Sequence, residues 1–291
     1  MSEPQKAVVV TGVSTGIGWG TAKVLLDAKI RVFGSVRKDA DAQRLRAEFG
    51  SSFTPLIFDV TDEKAVRAAA DDVRAALGGQ KLFGLVNNAG VAVAGPLLKL
   101  PIAAFREQID VNLSGAVTVT QAFAPLLGSE PGLEGAPGRI INISSVGGRV
   151  SMPFLAPYHA SKFGLEGLSE SLRRELLPFG IDVVVVAPGG VITAIWDKAE
   201  QVDVSRYANT PYAASLQSFS NFFLATGRKG LPPEKLGRVI MRALTTAKPK
   251  TRYAVVPNFF QDRVIPALMP ARMLDRIVAG RLGFTPDKTA S

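Results

Sequence analysis

Short apolar runs of strand length alternate with helix-length amphipathic stretches along most of this chain. This alternation is typical of βαβ units, in which a helix crosses over between two parallel strands. The runs are almost continuous Val, Ile and Leu, as expected of strands buried on both faces of a sheet. The predicted strands lie at 6–11, 30–36, 53–58, 82–87, 139–144, 181–187 and 252–256, and the predicted helices at 17–28, 40–49, 62–77, 101–127, 156–178 and 233–246. The sequence therefore predicts an α/β fold with a doubly wound, seven-stranded parallel sheet.

The alternation stops between residues 190 and 232, and the chain continues beyond the last predicted strand. Long connections in compact domains usually form lids or binding loops, so we call 190–232 the substrate segment. We expect a single domain, 1–257, that contains this segment, and then a C-terminal extension, 258–291. The large apolar residues of the substrate segment are Ile192, Ile195, Trp196, Tyr207, Tyr212, Leu216, Phe219, Phe222, Phe223 and Leu224. They predict either a pocket for a bulky lipophilic compound or the ordinary core of a helix near 211–225.

Composition excludes several classes of function. The chain has no cysteine, which excludes disulfides, thiolate catalysis and zinc sites built on sulfur, and its single histidine argues against a histidine metal site. The formal charge of +9 comes entirely from 228–291, which carries 13 basic and 4 acidic residues. No stacking aromatics or groove-reading helix accompany this charge, so we expect no nucleic-acid partner. No apolar run approaches the roughly 20 residues of a spanning helix, and no signal-peptide layout is found, so we expect a soluble, cytoplasmic protein.

A glycine-rich turn follows the first predicted strand and opens onto the first predicted helix. Gly12 permits the tight bend, Gly16 lets backbone amides approach a pyrophosphate, and Gly18 allows close packing of helix against strand. The spacing GxxxGxG differs from the commoner GxGxxG, and such a turn can also be simple punctuation between two elements. The residues of the turn that we predict to bind cofactor are Gly12, Ser14, Thr15, Gly16, Ile17 and Gly18. The turn predicts a dinucleotide site in a Rossmann-type sheet.

The end of the second predicted strand indicates which dinucleotide is bound. An acidic residue there would bind the adenosine ribose and repel a 2′-phosphate, but Val36 is followed by Arg37 and Lys38. The Arg37 guanidinium suits a 2′-phosphate, which predicts NADP(H), although both cations can also simply solvate a loop. Asp59, with Val60, ends the third strand and is expected near the adenine amino group, or else acts as a turn aspartate.

Tyr158 and Lys162 stand at positions i and i+4 of a predicted helix, so an ammonium can lie beside a phenol. A nearby positive charge lowers the pKa of a phenol towards neutral pH, where it can act as an acid or base. Ser145 precedes Tyr158 by thirteen residues and ends a strand, and Asn87-Asn88-Ala89-Gly90 ends the strand before that. Together these residues predict a catalytic group at one edge of the sheet.

The order of these motifs resembles the short-chain dehydrogenase/reductase family from about residue 6 to residue 195. The residues that carry the resemblance are the turn at 11–18, the NNAG at 87–90, Asn112 in Asp110-Val111-Asn112, Ser145, the pair Tyr158 and Lys162, and Pro188-Gly189 with Thr193. The resemblance implies a single Rossmann-type domain that transfers hydride between a nicotinamide and a carbonyl or alcohol.

The resemblance also implies roles for individual residues. Tyr158 would be the general acid in reduction and the base in oxidation, and Lys162 would hold the nicotinamide ribose and lower the tyrosine pKa. Ser145 would bind the substrate oxygen, and Asn112 would hold a main-chain kink and a proton-relay water. The further cofactor contacts implied are Arg37, Asp59, Val60, Asn88, Ala89, Gly90, Pro188, Gly189, Val191 and Thr193. Thr15 departs from the pattern, because some NADP-preferring members carry a basic residue there.

The substrate and the assembly are less clearly indicated. The residues after 249 resemble the branch that contains 17β-hydroxysteroid and retinol dehydrogenases, which implies a lipophilic carbonyl or alcohol. A 3-oxoacyl-carrier-protein reductase and a non-catalytic NADP-sensing protein are the alternatives. The resemblance also implies a homodimer or homotetramer, because in this family the helices that correspond to 101–127 and 156–178 pair across a two-fold axis. We expect the extension to dock on the pocket in preference to a membrane surface. His159 is interpreted as a packing or surface residue with no catalytic role.

Overall fold

The computed structural model describes residues 5–192, 204–228, 230–258 and 265–284. Its sheet has seven parallel strands in the order β3-β2-β1-β4-β5-β6-β7. The strands are β1 (Ala7–Val10), β2 (Arg31–Val36), β3 (Phe53–Ile57), β4 (Gly84–Asn87), β5 (Arg139–Ile143), β6 (Asp182–Pro188) and β7 (Arg252–Val255). Strand order reverses between β1 and β4, and in such sheets ligands bind at this point, beyond the carboxyl ends of the strands. The predicted fold class is confirmed.

Helices connect the strands and cover both faces of the sheet. They are α1 (Gly16–Asp27), α2 (Asp39–Phe49), α3 (Glu63–Leu77), α4 (Ile102–Ile109), α5 (Gly115–Ala124), α6 (Ala156–Glu175), α7 (Ala213–Arg228), α8 (Pro233–Thr245), α9 (Ile265–Leu268) and α10 (Ala271–Leu282). None of the helices in the described ranges has the length and apolar content to cross a bilayer.

The core lies in two apolar layers because successive residues of a strand point to opposite faces. Val8 and Val10 of β1 belong to the layer that also holds Leu25 of α1. Val9 lies in the opposite layer with Phe123 of α5. All five side chains are completely buried. The sheet is therefore a rigid platform between two helical layers, and its strand ends have fixed positions.

Helices α1 and α8 approach each other closely enough to exclude side chains. A Cβ atom on Gly20 of α1 would lie 2.6 Å from the backbone of Pro233, and one on Gly237 of α8 would lie 2.5 Å from the Gly20 carbonyl oxygen. Only glycine fits at either position. The helix that follows the glycine-rich turn thus packs directly against the backbone of the helix that follows the substrate segment.

The predicted helix at 101–127 is interrupted. A π-helical turn, Asp110–Ser114, separates α4 from α5, and a second, Pro125–Ser129, follows α5. The amide side chain of Asn112 both accepts from the Val91 amide and donates to the Val91 carbonyl, at 2.8 and 3.0 Å. The prediction of one continuous helix is wrong here, because two π-helical turns interrupt the regular α-helical hydrogen bonding.

A third apolar cluster lies outside the two main layers. Its buried residues are Phe154, Leu155, Tyr207, Leu216, Phe219 and Leu282, and its partly buried residues are Ala94, Met152, Tyr158, Tyr212, Phe223, Val278 and Phe284. The cluster joins the substrate segment to α10 of the extension, and the Phe154 ring contacts the Phe284 ring at 5.3 Å. The extension therefore packs beside Tyr158. Ile195 and Trp196, which the sequence assigns to the pocket, lie outside the described residues.

Candidate active site

The glycine-rich turn adopts a conformation that requires its glycines. Gly12 and Gly16 have φ values of +70° and +61°, in the left-handed region that disfavours other residues. A side chain on Gly18 would collide with the Gly12 carbonyl oxygen. The three glycines singled out in the sequence therefore shape the turn as predicted.

Two neighbouring strands support the turn from below. The Thr11 hydroxyl accepts from the amides of Asn88 and Ala89, both at 2.9 Å, and the Asn88 side chain donates to the carbonyls of Thr11 and Gly12 at 2.8 and 3.1 Å. The Ser35 hydroxyl accepts from the Gly12 amide at 3.0 Å. The structure thus places Asn88 and Ala89 at the turn. Sequence reasoning gave Thr11 and Ser35 no role of their own, because their contacts bridge distant parts of the chain.

The start of α1 has the features of an anion site. The exposed Thr15 occupies the N-cap position, and its side chain makes no capping hydrogen bond within the described part of the chain. The first turn of α1 contains no acidic residue, so the positive end of the helix dipole is not neutralised locally. The Ser14 carbonyl is held by Arg44 at 2.7 Å. These residues fit the pyrophosphate of a dinucleotide.

Arg37 and Asp59 form an ion pair at the ends of β2 and β3. The Arg37 Nη1 atom lies 3.5 Å from Asp59 Oδ2, and the Arg37 side chain is 62% exposed. Burial pushes the pKa of Asp59 upwards, but hydrogen bonds from Thr61 and the Arg37 charge outweigh it and leave the pKa lowered. Asp59 is therefore an anion that orients Arg37 towards solvent beside the turn. Val60 is buried, so only its backbone is available to a ligand.

Ser145, Tyr158 and Lys162 meet at the carboxyl end of β5. Lys162 is 6% exposed, and its ammonium donates to the Ile143 carbonyl at 2.9 Å and lies 5.8 Å from the centre of the Tyr158 ring. The Ser145 hydroxyl lies next to the Tyr158 phenol and acts to lower its pKa. It also accepts from the Gly147 amide at 3.0 Å, which orients it. The structure thus brings together three of the four residues that the sequence predicts to be catalytic.

The acid and base strengths of this group differ from the expectation. Burial raises the pKa of Tyr158, and the hydrogen bond with Ser145 only partly offsets this. Burial lowers the pKa of Lys162 to about 8. The expectation that the nearby ammonium lowers the tyrosine pKa is therefore wrong for the protein without nucleotide. Both shifts have the same cause, since a charged side chain loses water here.

Asn112, the fourth predicted catalytic residue, connects the π turn to α6. Its side chain donates to the Ser161 hydroxyl at 3.2 Å, and Ser161 in turn donates to the Tyr158 carbonyl at 2.7 Å. A Cβ atom on Gly90 would lie 3.2 Å from Asn112 Oδ1. Asn112 thus holds the loop after β4 against the helix that carries Tyr158, which agrees with the predicted main-chain kink.

A buried polar network beneath the site was missed by sequence reasoning. Asn87 of β4 donates to Thr120 at 3.0 Å and to Asn142 of β5 at 2.9 Å, and Asn142 donates to Ser169 of α6 at 2.8 Å. All four are buried. The available signal was an asparagine inside the apolar run Ile140 to Ile143. The network fixes α5 and α6 against the two strands that carry the site.

His159 has a structural position. The Met152 amide donates to its Nε2 atom at 2.9 Å, so Nε2 is an acceptor and the proton resides on Nδ1, which donates to the Gly147 carbonyl at 2.7 Å. Burial lowers the pKa of His159, which keeps the ring neutral. His159 therefore holds the loop after Ser145 onto α6, as its interpretation as a packing residue implies.

The remaining predicted cofactor contacts lie after β6. Pro188 ends the strand and accepts from the Ser145 hydroxyl at 3.5 Å, and the Gly189 amide donates to Val255 at 3.0 Å. Val191 is buried against the core. These residues border the Ser145 side of the site. Thr193 lies outside the described residues, so its predicted role stays a prediction.

A doubly wound sheet with a dinucleotide turn at one strand end and a Ser-Tyr-Lys group at another defines a nicotinamide-dependent oxidoreductase. A family model described as short chain dehydrogenase matches residues 6–203. The chain therefore belongs to the short-chain dehydrogenase family, which confirms the resemblance.

Relatives cover nearly the whole chain. It is 38% identical to an NADPH-dependent 3-dehydrocapnine reductase of Ornithobacterium rhinotracheale, over 92% of this chain and 94% of that protein. It is 32% identical to retinol dehydrogenase 7 of Rattus norvegicus, over 92% of this chain and 91% of that protein. A short-chain dehydrogenase structure from Streptomyces avermitilis is 29% identical and has a TM-score of 0.72. The match covers 96% of this chain and 95% of that one. The cofactor prediction, NADP(H), agrees with the name of the first relative.

Proposed function

We propose that the protein uses NADP(H) to interconvert a lipophilic ketone or aldehyde with the corresponding alcohol, and that Tyr158 transfers the proton. One observation carries the proposal: Tyr158 lies beside Ser145 and has the Lys162 ammonium 5.8 Å from its ring centre, while the ring belongs to the third apolar cluster. A substrate held by that cluster would present its oxygen to the phenol. The relatives named for retinol and for 3-dehydrocapnine reduction support the reaction class.

In the proposed reaction, separate groups of residues bind the cofactor and transfer the proton. The glycine-rich turn, Arg37 and Asn88 would hold the dinucleotide, which supplies or takes up the hydride when bound. In reduction, the Tyr158 phenol donates its proton to the carbonyl oxygen, and the Ser145 hydroxyl donates a hydrogen bond to the same oxygen. The raised pKa of Tyr158 keeps the phenol protonated at neutral pH, which is the state that a proton donor requires. In oxidation, Ser145 and the Lys162 ammonium stabilise the phenolate.

Replacement of the phenol tests the role of Tyr158. With NADPH and a panel of ketones, Tyr158→Phe is expected to lower kcat/KM by about 10³-fold, as loss of a general acid does. Tyr253→Phe is the matched control, because Tyr253 lies on β7, outside the site, and its hydroxyl accepts from the amide of Lys250, which precedes the strand. The nicotinamide absorbance reports turnover. Full activity of Tyr158→Phe, or no reduction of any ketone by the wild type, would contradict the proposal.

A chain-length series tests the lipophilic pocket. Each additional methylene that the third cluster buries contributes about 0.8 kcal/mol, so kcat/KM should rise about fourfold per methylene from butanone to longer methyl ketones until the pocket is filled. A flat series would show that the cluster is an ordinary core and that the substrate is bound elsewhere.

A further inference from the structure

Tyr207 carries a buried hydroxyl that the proposed mechanism does not use. Tyr207 is 3% exposed and ends the short 3-10 turn Val204–Tyr207 of the substrate segment. Its phenolic oxygen has no hydrogen-bond partner among the residues that the structure describes. The backbone of Tyr207 is fixed, because the amide and the hydroxyl of Thr210 donate to its carbonyl at 3.0 and 2.7 Å. Within the described part of the chain, the hydroxyl is thus held in place without the partner that buried hydroxyls nearly always have.

The residues around the Tyr207 oxygen connect it to Tyr158. A Cβ atom on Gly95 would lie 2.7 Å from the Tyr207 oxygen, so the hydroxyl packs directly over the glycine backbone and a side chain there would displace it. The Gly95 amide donates to the Phe154 carbonyl at 2.8 Å. Phe154 stands four residues before Tyr158 with a φ of +67°, a strained value of the kind found at functional sites. Tyr207, Phe154 and Tyr158 all belong to the third cluster.

The hydroxyl lowers stability unless something uses it. A buried donor without a partner keeps the cost of leaving water, whereas phenylalanine would fill the same space without that cost. A substrate bound within the third cluster would supply the partner that the described residues do not provide. The ring itself is held from one side by the exposed Arg206, whose guanidinium lies 4.8 Å from the ring centre.

We propose that Tyr207 determines substrate specificity by hydrogen bonding a second polar group of the substrate. The preferred substrate is then a lipophilic carbonyl or alcohol compound that carries an additional hydroxyl or carbonyl oxygen away from the reacting carbon. This inference rests on the proposed function, because it places Tyr207 and Tyr158 around one substrate. Tyr207 selects the substrate and takes no part in the proton transfer.

The test compares methyl ketones from hexanone to dodecanone, each with and without a terminal hydroxyl group. For the wild type, kcat/KM at the matching chain length should be about tenfold higher for the hydroxylated ketone than for its parent, as one hydrogen bond in an apolar site provides. Tyr207→Phe should bring this ratio to about one. Tyr212→Phe is the matched control, since the Tyr212 ring packs against Phe154 at 6.2 Å in the same cluster, and it should keep the ratio.

An equal ratio in the wild type and in Tyr207→Phe at every chain length would overturn the inference. Thermal unfolding of the nucleotide-free protein gives a second readout that does not depend on turnover. Tyr207→Phe should raise Tm by about 2 °C because it removes an unpartnered group. A lowered Tm would show that a bound water satisfies the hydroxyl and would also overturn the inference. If no ketone is reduced at all, the proposed function fails, and the Tm result still decides whether the hydroxyl lacks a partner.

Discussion

Replacement of Lys162 by methionine should change how the stability of the folded protein depends on pH. Burial lowers the pKa of Lys162 from 10.5 to about 8. Between these two values the unfolded chain keeps a proton that the folded protein has released. The free energy of unfolding therefore rises with pH across this window, and below it the folded protein bears the full cost of the buried ammonium. Lys162→Met removes both the titration and the cost.

The magnitude follows from the shift. A pKa lowered by about 2.5 corresponds to about 3 kcal/mol, at about 1.4 kcal/mol for each pKa unit. The difference in the free energy of unfolding, wild type minus Lys162→Met, should therefore increase by about 3 kcal/mol as the pH is raised from below 8 to above 10. The variant also loses the hydrogen bond from Lys162 to the Ile143 carbonyl. This loss shifts the difference in the free energy of unfolding by a constant amount at every pH.

Urea unfolding of the nucleotide-free proteins, followed by circular dichroism at several pH values, measures this difference. Groups that titrate equally in both proteins cancel. The matched control is Lys64→Met, because Lys64 lies exposed on α3 and its ammonium remains in water in both states. A difference for Lys162→Met that stays flat with pH would refute the reasoning, since it would mean that folding does not desolvate the ammonium.

Three further predictions concern the cofactor, the assembly and the extension. NADPH should bind at least tenfold more tightly than NADH, a difference of about 1.4 kcal/mol from one phosphate contact, and Arg37→Asp should reverse this preference in fluorescence titrations. Equal affinities in the wild type would contradict the role of Arg37. Light scattering should give the mass of a dimer or tetramer, and Phe163→Glu should reduce it, because Phe163 is 45% exposed on α6; a monomeric wild type would count against this. Deletion of 258–291 should raise KM for bulky ketones and leave NADPH binding unchanged, because α10 packs on the third cluster; flotation with anionic vesicles that depends on the extension would instead favour a membrane surface.

The sheet is predictable because burial on both faces leaves a strong mark on the sequence. Val183 to Val186 form an unbroken run of β-branched apolar residues, which favours a strand buried on both faces. The glycines at 12, 16 and 18 are equally informative, since each meets a backbone requirement that only glycine satisfies. Strand ends were misplaced by one or two residues because the apolar run continues beyond the last hydrogen bond of the ladder.

Contacts between distant residues were not predictable in the same way. The pairing of Asn87 with Asn142, and of Asn112 with Val91, depends on which elements lie side by side. The direction of the Tyr158 pKa was misjudged for a related reason. Spacing along a helix shows that an ammonium is near, but it does not show how much water the fold removes from both groups.

The glycine contact between α1 and α8 determines where segments of this enzyme should be exchanged with those of its relatives in chimeric proteins. Helices α1 and α8 pack backbone to backbone at Gly20 and Gly237 and form one structural unit, because neither glycine tolerates a side chain. The residues from 204 to 228 contribute Tyr207, Leu216 and Phe219 to the buried part of the third cluster. We expect this stretch to be exchangeable between family members as a cassette. A chimera that exchanges this cassette between family members, and leaves Pro233 onwards intact, should inherit the substrate range of the donor and keep the nucleotide affinity of the recipient.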